Sequence, residues 1–451
     1  MIELNHNISF QLLVTLVGIL LGSSCTYAHP IYTASPDSYR ARLKALEPGA
    51  HLRLLPGEYK DGLPIHHLHG TAAAPITISG PDSGLRAIFV GRPGHNTVSI
   101  VNSSYVTIRN LDLDGRQLAV DGVKCEGHAD WAHHITLDGL RVRGHGNDQQ
   151  TVGISTKCPA WGWVIRNNVI AGAGTGLYLG DSDGQAPFIA GLIEHNLVVD
   201  TLGYNLQIKH QQPRPILPEM PEGHSETIIR HNVFSKANGG SKTIKAIPRP
   251  NVLVGHWPIS GPGSDDMYLV YDNFFYQNPH EALFQGEGNI ALYNNLFVNH
   301  LGDAVRLQPH NGTTRKFSVF YNTVIAKGSG MTISRRWRDP VYQQLVSGNI
   351  IFALSPLHGA STKSNLTGGF DEARNHLARP FAPLGEMNLA PMGIKVRKHA
   401  GNSTRFAIYP DAGTDFDGEG LIGAGRIGAY SLDKERPRWL PKLEIKPINR
   451  P

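Results

Sequence analysis

Lys209 and His256 occupy matching places at the ends of two short pieces of sequence, Asn205-Leu206-Gln207-Ile208-Lys209 and Val252-Leu253-Val254-Gly255-His256. If each piece is a strand, period-two alternation turns Leu206 and Ile208 inward and Gln207 and Lys209 outward. Lys209 and His256 then share one outward column. The next pieces extend that face with Gln285 and Glu287, and then with Arg306, Gln308 and His310. The chemistry on offer is removal of a weakly acidic proton next to a carboxylate. It needs a cation to neutralise the carboxylate and a base poised near neutral pH. Lys209 suits either role once desolvation and nearby cations lower its pKa. His256 suits a base or proton shuttle, oriented by Glu287. Gln207, His210, Gln285, Arg306, Gln308 and His310 are the candidate ligand-binding residues. No metal ligand set is assigned.

The elements that must position these side chains repeat along the chain. A polar residue, an Asn and two or three apolar residues recur at Asn110, Asn168, Asn196, Asn232, Asn273, Asn295, Asn322 and Asn349, with Gly139 in the Asn place once. Self-similar strand patterns at intervals of 20–50 residues mean a solenoid. A second strand rhythm runs through Gly122–Cys125, Gly176–Leu179, Asn205–Lys209, Val252–His256, Ala282–Gln285 and Ala304–Gln308. The expected fold is all-β, a right-handed parallel β-helix, with the Asn column as a side-chain ladder. Residues 35–46, with Ser35 or Asp37 as N-cap, form a short capping helix, and an irregular tail follows residue 353. The expected organisation is an export signal over 1–28, the capped β-helix over 29–353, and last coils with a closing segment over 354–451. Two coil intervals are longer than the rest, so Gln211–Glu226, Lys236–Pro250 and Pro258–Asp266 must bulge as loops beside Lys209 and His256.

Residues 10–21 are an apolar core too short to span a bilayer comfortably, and Thr26-Tyr27-Ala28 offers a cleavage site. The mature chain is then secreted or periplasmic, has no membrane span and is a monomer. Cys25 sits in a loose lipoprotein-like box. The net charge is +5, and Glu3 is the only charged residue of the first 28. A basic chain with no Lys/Arg-rich run and no nucleic-acid motif suits an acidic polymer and argues against nucleic acid. Cys125 and Cys158 are expected on neighbouring coils about two residues out of register, so that a disulfide and two buried thiols both remain open.

Pro48–Gly62, with Gly70-Thr71 and Ala74–Ile78, resembles the first coil of right-handed β-helix polysaccharide lyases of the chondroitinase-B and alginate-lyase type. Asp415–Gly418 and Ile427–Tyr430 resemble the closing segment of secreted proteins with this fold. The resemblance implies a Lys base and an Arg on neighbouring coils, with Ca²⁺ as a possible cofactor. Lys209 and Arg306 match those strands, but three coil steps, or roughly 14 Å, keep them from sharing one sugar carbon. Asn278-Pro279-His280-Glu281 resembles the Asp-Pro-His-Glu motif of β-helix mannuronan epimerases, with Asn leading. The resulting expectation is β-elimination on a uronic-acid polysaccharide. A non-catalytic glycan-binding or envelope-associated protein is one alternative. A glycoside hydrolase using Asp265, Asp266 or Glu287 is another. Asp181-Ser182-Asp183-Gly184 is a possible Ca²⁺ turn, and Tyr178, Phe284 and Trp257 are possible sugar-stacking residues.

Overall fold

The computed structural model describes residues 29–238, 248–337, 340–393, 396, 404–420, 426–432 and 437–447. The candidate export segment 1–28, with Cys25, lies outside them. Among the described residues no helix is long and apolar enough to cross a membrane.

Three stacks of short parallel strands wrap one apolar interior, which makes the chain a parallel β-helix. The back sheet runs from Ile31–Ala34 through Ser103–Arg109 and Ala132–Asp138 to Gln344–Ser347. The side sheet includes Leu111–Asp114, Leu197–Val199, Val233–Ser235, Phe274–Tyr276 and Leu296–Asn299. The front sheet includes Val123–Cys125, Val152–Thr156, Thr175–Leu179, Leu206–Ile208, Val252–Val254, Phe284–Gly286 and Val305–Leu307. Ile154, Leu177, Leu206, Val252, Phe284 and Val305 stack in register inside it. Like residues on successive coils thus bury one another, and no coil is stable alone.

The Asn ladder is present but begins later than expected. Asn168, Asn196, Asn232, Asn273, Asn295, Asn322, Asn349 and Asn365 form it, each Nδ2 donating to the Oδ1 of the next at 2.9–3.0 Å. Each backbone N–H donates to the same oxygen. Asn110 and Gly139 instead belong to the preceding column, with Asn167, His195, His231, Asp272, Asn294 and Tyr321. Every residue of that column has positive φ, 51–68°. The chain turns its corner through the left-handed region there, which Asn, Asp and Gly tolerate best.

The capping helix spans Tyr39–Leu43 and buries Tyr39 and Leu43. Its N-cap is Ser38, without a side-chain bond to the helix. Ser35 serves through its carbonyl, which accepts from the N–H groups of Ser38 and Tyr39. Cys125 and Cys158 form a disulfide with Cα atoms 6.0 Å apart. Cys125 is level with Thr156, so the two-residue offset holds. The distance is shorter than a straight strand would give because the chain leaves the strand after Thr156.

The tail does more than close the last coil. Phe416, Ile427, Ala429, Tyr430 and Trp439 pack on Leu197, Val233, Phe274, Leu296, Ile325 and Ile350, the outward residues of the side sheet. Phe406 and Ala412 do the same for Tyr271, Tyr293 and Phe320 on the back sheet. The closing segment is pinned by Gly428 N–H to the Gly348 carbonyl and by Ala429 N–H to Thr323 Oγ1. Lys446 is buried and donates to the Phe416 carbonyl at 2.6 Å. The front sheet receives no such cover from the described tail residues.

Candidate functional site

Outward residues of the front sheet form two parallel columns. In the first, Lys124, Ser155, Tyr178, Gln207, Leu253, Gln285 and Arg306 are in register on successive coils. The second lies two residues on, at the strand ends, with Lys157, Gly180, Lys209 and Gly255. Its levels follow from Lys157 N–H to the Cys125 carbonyl, Lys209 N–H to Leu179 and Gly255 N–H to Ile208. Lys157 and Lys209 are therefore two coil steps apart, or roughly 10 Å, with only glycine between them.

These columns floor a cleft of about 590 Å³ lined by Asp121, Lys124, Lys157, Tyr178, Ser182, Tyr204, Gln207, Lys209, Arg249 and His310, with the Asp148–Val152 turn as one wall. Tyr178 is its centrepiece. Lys157 Nζ sits 3.3 Å from the ring centroid and Lys209 Nζ 5.9 Å from it. The Tyr178 hydroxyl is 3.0 Å from Ser182 Oγ. Burial pulls Lys157 down to about 8, and also lowers Lys209, while raising the Tyr178 phenol. Neither lysine makes a salt bridge to a described carboxylate. The acids here have other work. Asp121 accepts from Val152 N–H and Ser155 Oγ and lies 3.5 Å from Lys124 Nζ. Asp148 closes its own turn on Gln150 and Thr151. The cleft is a cationic trough around an aromatic ring.

A second cleft, about 670 Å³, lies upstream between the capping helix and the front sheet, lined by Arg40, His66, His67, Arg92, His95 and His128 among others. Asn96 lines both clefts. The smaller one holds two lysines whose pKa burial lowers, Lys157 and Lys209.

Of the residues singled out from sequence, Lys209, Gln207, His310, Tyr178 and Ser182 reach this cleft. His256 does not share the Lys209 column, because Gly255 stands there. His256 instead stacks on His210, ring centroids 5.4 Å apart, and its Nδ1 lies 3.0 Å from the Trp257 carbonyl. Glu287 does not orient His256. It is buried, and its carboxylate accepts the N–H groups of His310, Asn311 and Gly312. Arg306 is held by Glu281 and Asp303 and has no free fork for a ligand. Gln285, beside it in register, is mostly buried, and Gln308 lies beyond the cleft.

The acids named for hydrolysis do not line this cleft; the two described carboxylates that do, Asp121 and Asp148, accept from Val152, Ser155, Gln150 and Thr151. Asp266 is buried against Arg214 and Ser225, and Asp265 is exposed on the loop outside the cleft lining. Asp181 and Asp183 accept the N–H groups of Ala186 and Gln185 within their own turn. Phe284 and Trp257 are core residues.

Lys157 was missed because Val152–Thr156 was not recognised as one of the second strands. The count that finds Lys209 two residues after Gln207 finds Lys157 two after Ser155. The loops also divide differently. Gln211–Glu226 turns away over the back sheet. From Lys236–Pro250, whose residues 239–247 lie outside the described set, Arg249 reaches the cleft.

No family model and no curated protein matches the chain. Similar solved structures include an alginate lyase from Paenibacillus sp. str. FPU-7, at 16% identity over 76% of this chain and 98% of that one, TM-score 0.37. A mannuronic acid specific polysaccharide family 6 lyase from human gut microbiota gives 15%, 73%, 82% and 0.44 in the same order. Pectate lyase Pel9A gives 11%, 90%, 90% and 0.39.

Proposed function

We propose that the chain is an exported lyase that cleaves a uronic-acid polysaccharide by β-elimination in the front-sheet cleft. The observation that carries this reading is Tyr178 set between Lys157 and Lys209 in a trough whose carboxylates are otherwise engaged. Lys157, at about 8, has a substantial neutral fraction near physiological pH and serves as base. Protonated Lys209 neutralises the substrate carboxylate and so acidifies the adjacent C5 proton. Lys157 takes that proton, the electron pair forms the C4–C5 double bond, and the C4–O bond breaks. Tyr178, kept protonated by its raised pKa, gives its proton to the departing oxygen. The upstream histidine- and arginine-lined cleft supplies further subsites for the same chain.

The test is ultraviolet absorbance of the unsaturated product when the purified chain meets a panel of uronate polymers, with and without Ca²⁺. Lys157→Ala should lower the rate about 10²–10⁴-fold, the usual worth of a positioned general base. Lys209→Ala should lower kcat as well as weaken substrate binding, because the carboxylate it neutralises gains charge as the C5 proton leaves. A flat trace on every polymer with saturable binding would replace the lyase by a glycan-binding protein.

A further inference from the structure

On the opposite side of the β-helix, the back sheet carries a cluster that the front cleft does not use. In a regular strand, neighbouring side chains point to opposite faces. Within Ala132–Asp138 that alternation is broken, because His134 has φ +52°. Ala132 and Ile135 remain in the interior, and the two histidines between them, His133 buried and His134 half-buried, bring their Nδ1 atoms to 2.8 Å. The rings are braced from both sides. His133 stacks on Trp161 with centroids 4.5 Å apart, and His134 on Tyr105 at 4.4 Å. Gly162, on the next coil, leaves room for the His134 ring, since a Cβ there would come within 2.8 Å of its Cδ2.

A carboxylate arrives from far along the chain. Glu219 lies in the Gln211–Glu226 loop and accepts the Tyr105 hydroxyl at 2.8 Å across 114 residues. The loop that delivers it is firmly seated. Arg214 is buried in an ion pair with Asp266 and donates to the Pro221 carbonyl, and Met220 is part of the core. One imidazole nitrogen from each histidine and one Glu219 oxygen all lie within 4.8 Å of one another. A tetrahedral Zn²⁺ with ligand bonds of 2.0–2.1 Å sets its donors about 3.4 Å apart, so modest side-chain rotations close the set.

We propose that His133, His134 and Glu219 form a binding site for a borderline divalent metal of the Zn²⁺ class, which clips the Gln211–Glu226 loop to the back sheet. Two imidazoles and one carboxylate suit such an ion, and an N₂O set does not suit Ca²⁺. Tyr105 is a positioning residue: its hydrogen bond to one Glu219 oxygen aims the other at the metal. Three protein ligands leave the fourth place to water on the solvent side.

The experiment is calorimetric titration of Zn²⁺ into the full chain after chelator treatment, with Co²⁺ visible absorption as a second readout. The expected result is one equivalent bound and a raised thermal midpoint. Glu219→Gln should keep the hydrogen bond to Tyr105 and the metal-free midpoint. It should still weaken Zn²⁺ about a hundredfold or more, since even outer-shell partners are worth 10–100-fold. His134→Gly removes the ring at a position whose positive φ glycine accepts without strain, and should do the same. Lys157→Ala should bind Zn²⁺ like the parent chain, which separates this site from the front cleft. Failure of the parent chain to bind, or binding unchanged in both Glu219→Gln and His134→Gly, would overturn the proposal.

Discussion

The front and side sheets are built from short strands of the same coils, yet their outer faces have opposite fates. From Leu197 onward the side sheet presents Leu197, Val233, Phe274, Leu296 and Ile325 outward, and the tail buries them. At the same heights the front sheet presents Gln207, Lys209 and Gln285, with Lys124, Lys157 and Tyr178 on the coils before. The described tail covers one face and not the other. A solenoid keeps its interior identical on every coil, so the outer residues of each strand alone decide which face is covered.

The largest test of this contrast exchanges the two kinds of surface. Phe274→Asp places a carboxylate beneath Trp439, where it has no room for water, and should cost about 4 kcal/mol or more. Gln207→Leu makes the reverse change on the front sheet and should leave the free energy of denaturant unfolding within about 1 kcal/mol of the parent while impairing activity. Equal losses of stability from the two variants would show that the front sheet is structural too.

A second test uses pH. Lys157 works as a base only when neutral, and its pKa is about 8. The rate constant kcat/KM of the free enzyme should therefore rise about tenfold per pH unit below that value, level off above it, and fall again where Lys209, also lowered by burial, loses the proton it needs. An acid limb centred near 6.5 would point instead to a histidine.

The smallest effect concerns stability at the front sheet itself. Lys157 titrates lower in the folded chain than its ordinary 10.5, so the folded state disfavours its charge. Any stability linked to this group is present above pH 10.5 and is lost as pH falls toward 8. At pH 7 the buried charge is a liability. Lys157→Met should raise the thermal midpoint at pH 7, raise it less at pH 10, and abolish activity.

The fold was legible because its signals are local and periodic. Leu206 and Ile208 alternate with Gln207, and Asn recurs at each corner. The one-residue error at Asn110 and Gly139 arose because two adjacent columns both favour Asn, one for its side-chain bonds and one for its positive φ. The tail's cover was readable in principle. Leu197-Val198-Val199 and Leu296-Phe297-Val298 are continuous apolar runs, the mark of strands buried on both faces. The site was only partly legible. Counting along strands found Lys209, but the register pairs Leu206 with Val252, which puts Gly255 in the Lys209 column and His256 level with His210. The use of Glu287 by three backbone N–H groups, and the approach of Glu219 to Tyr105, depend on loop paths that no periodicity encodes.

The Asn ladder has one more consequence. Its rungs are separated in sequence by 28, 36, 41, 22, 27, 27 and 16 residues, yet each is joined to the next by the same pair of hydrogen bonds. It works as a ruler laid along the molecule, marking equal distances whatever length of chain passes between the marks. Material can be added or removed between two marks without shifting any floor residue relative to its neighbours. The walls of the cleft are thereby free to change over evolutionary time while the row beneath them keeps its spacing.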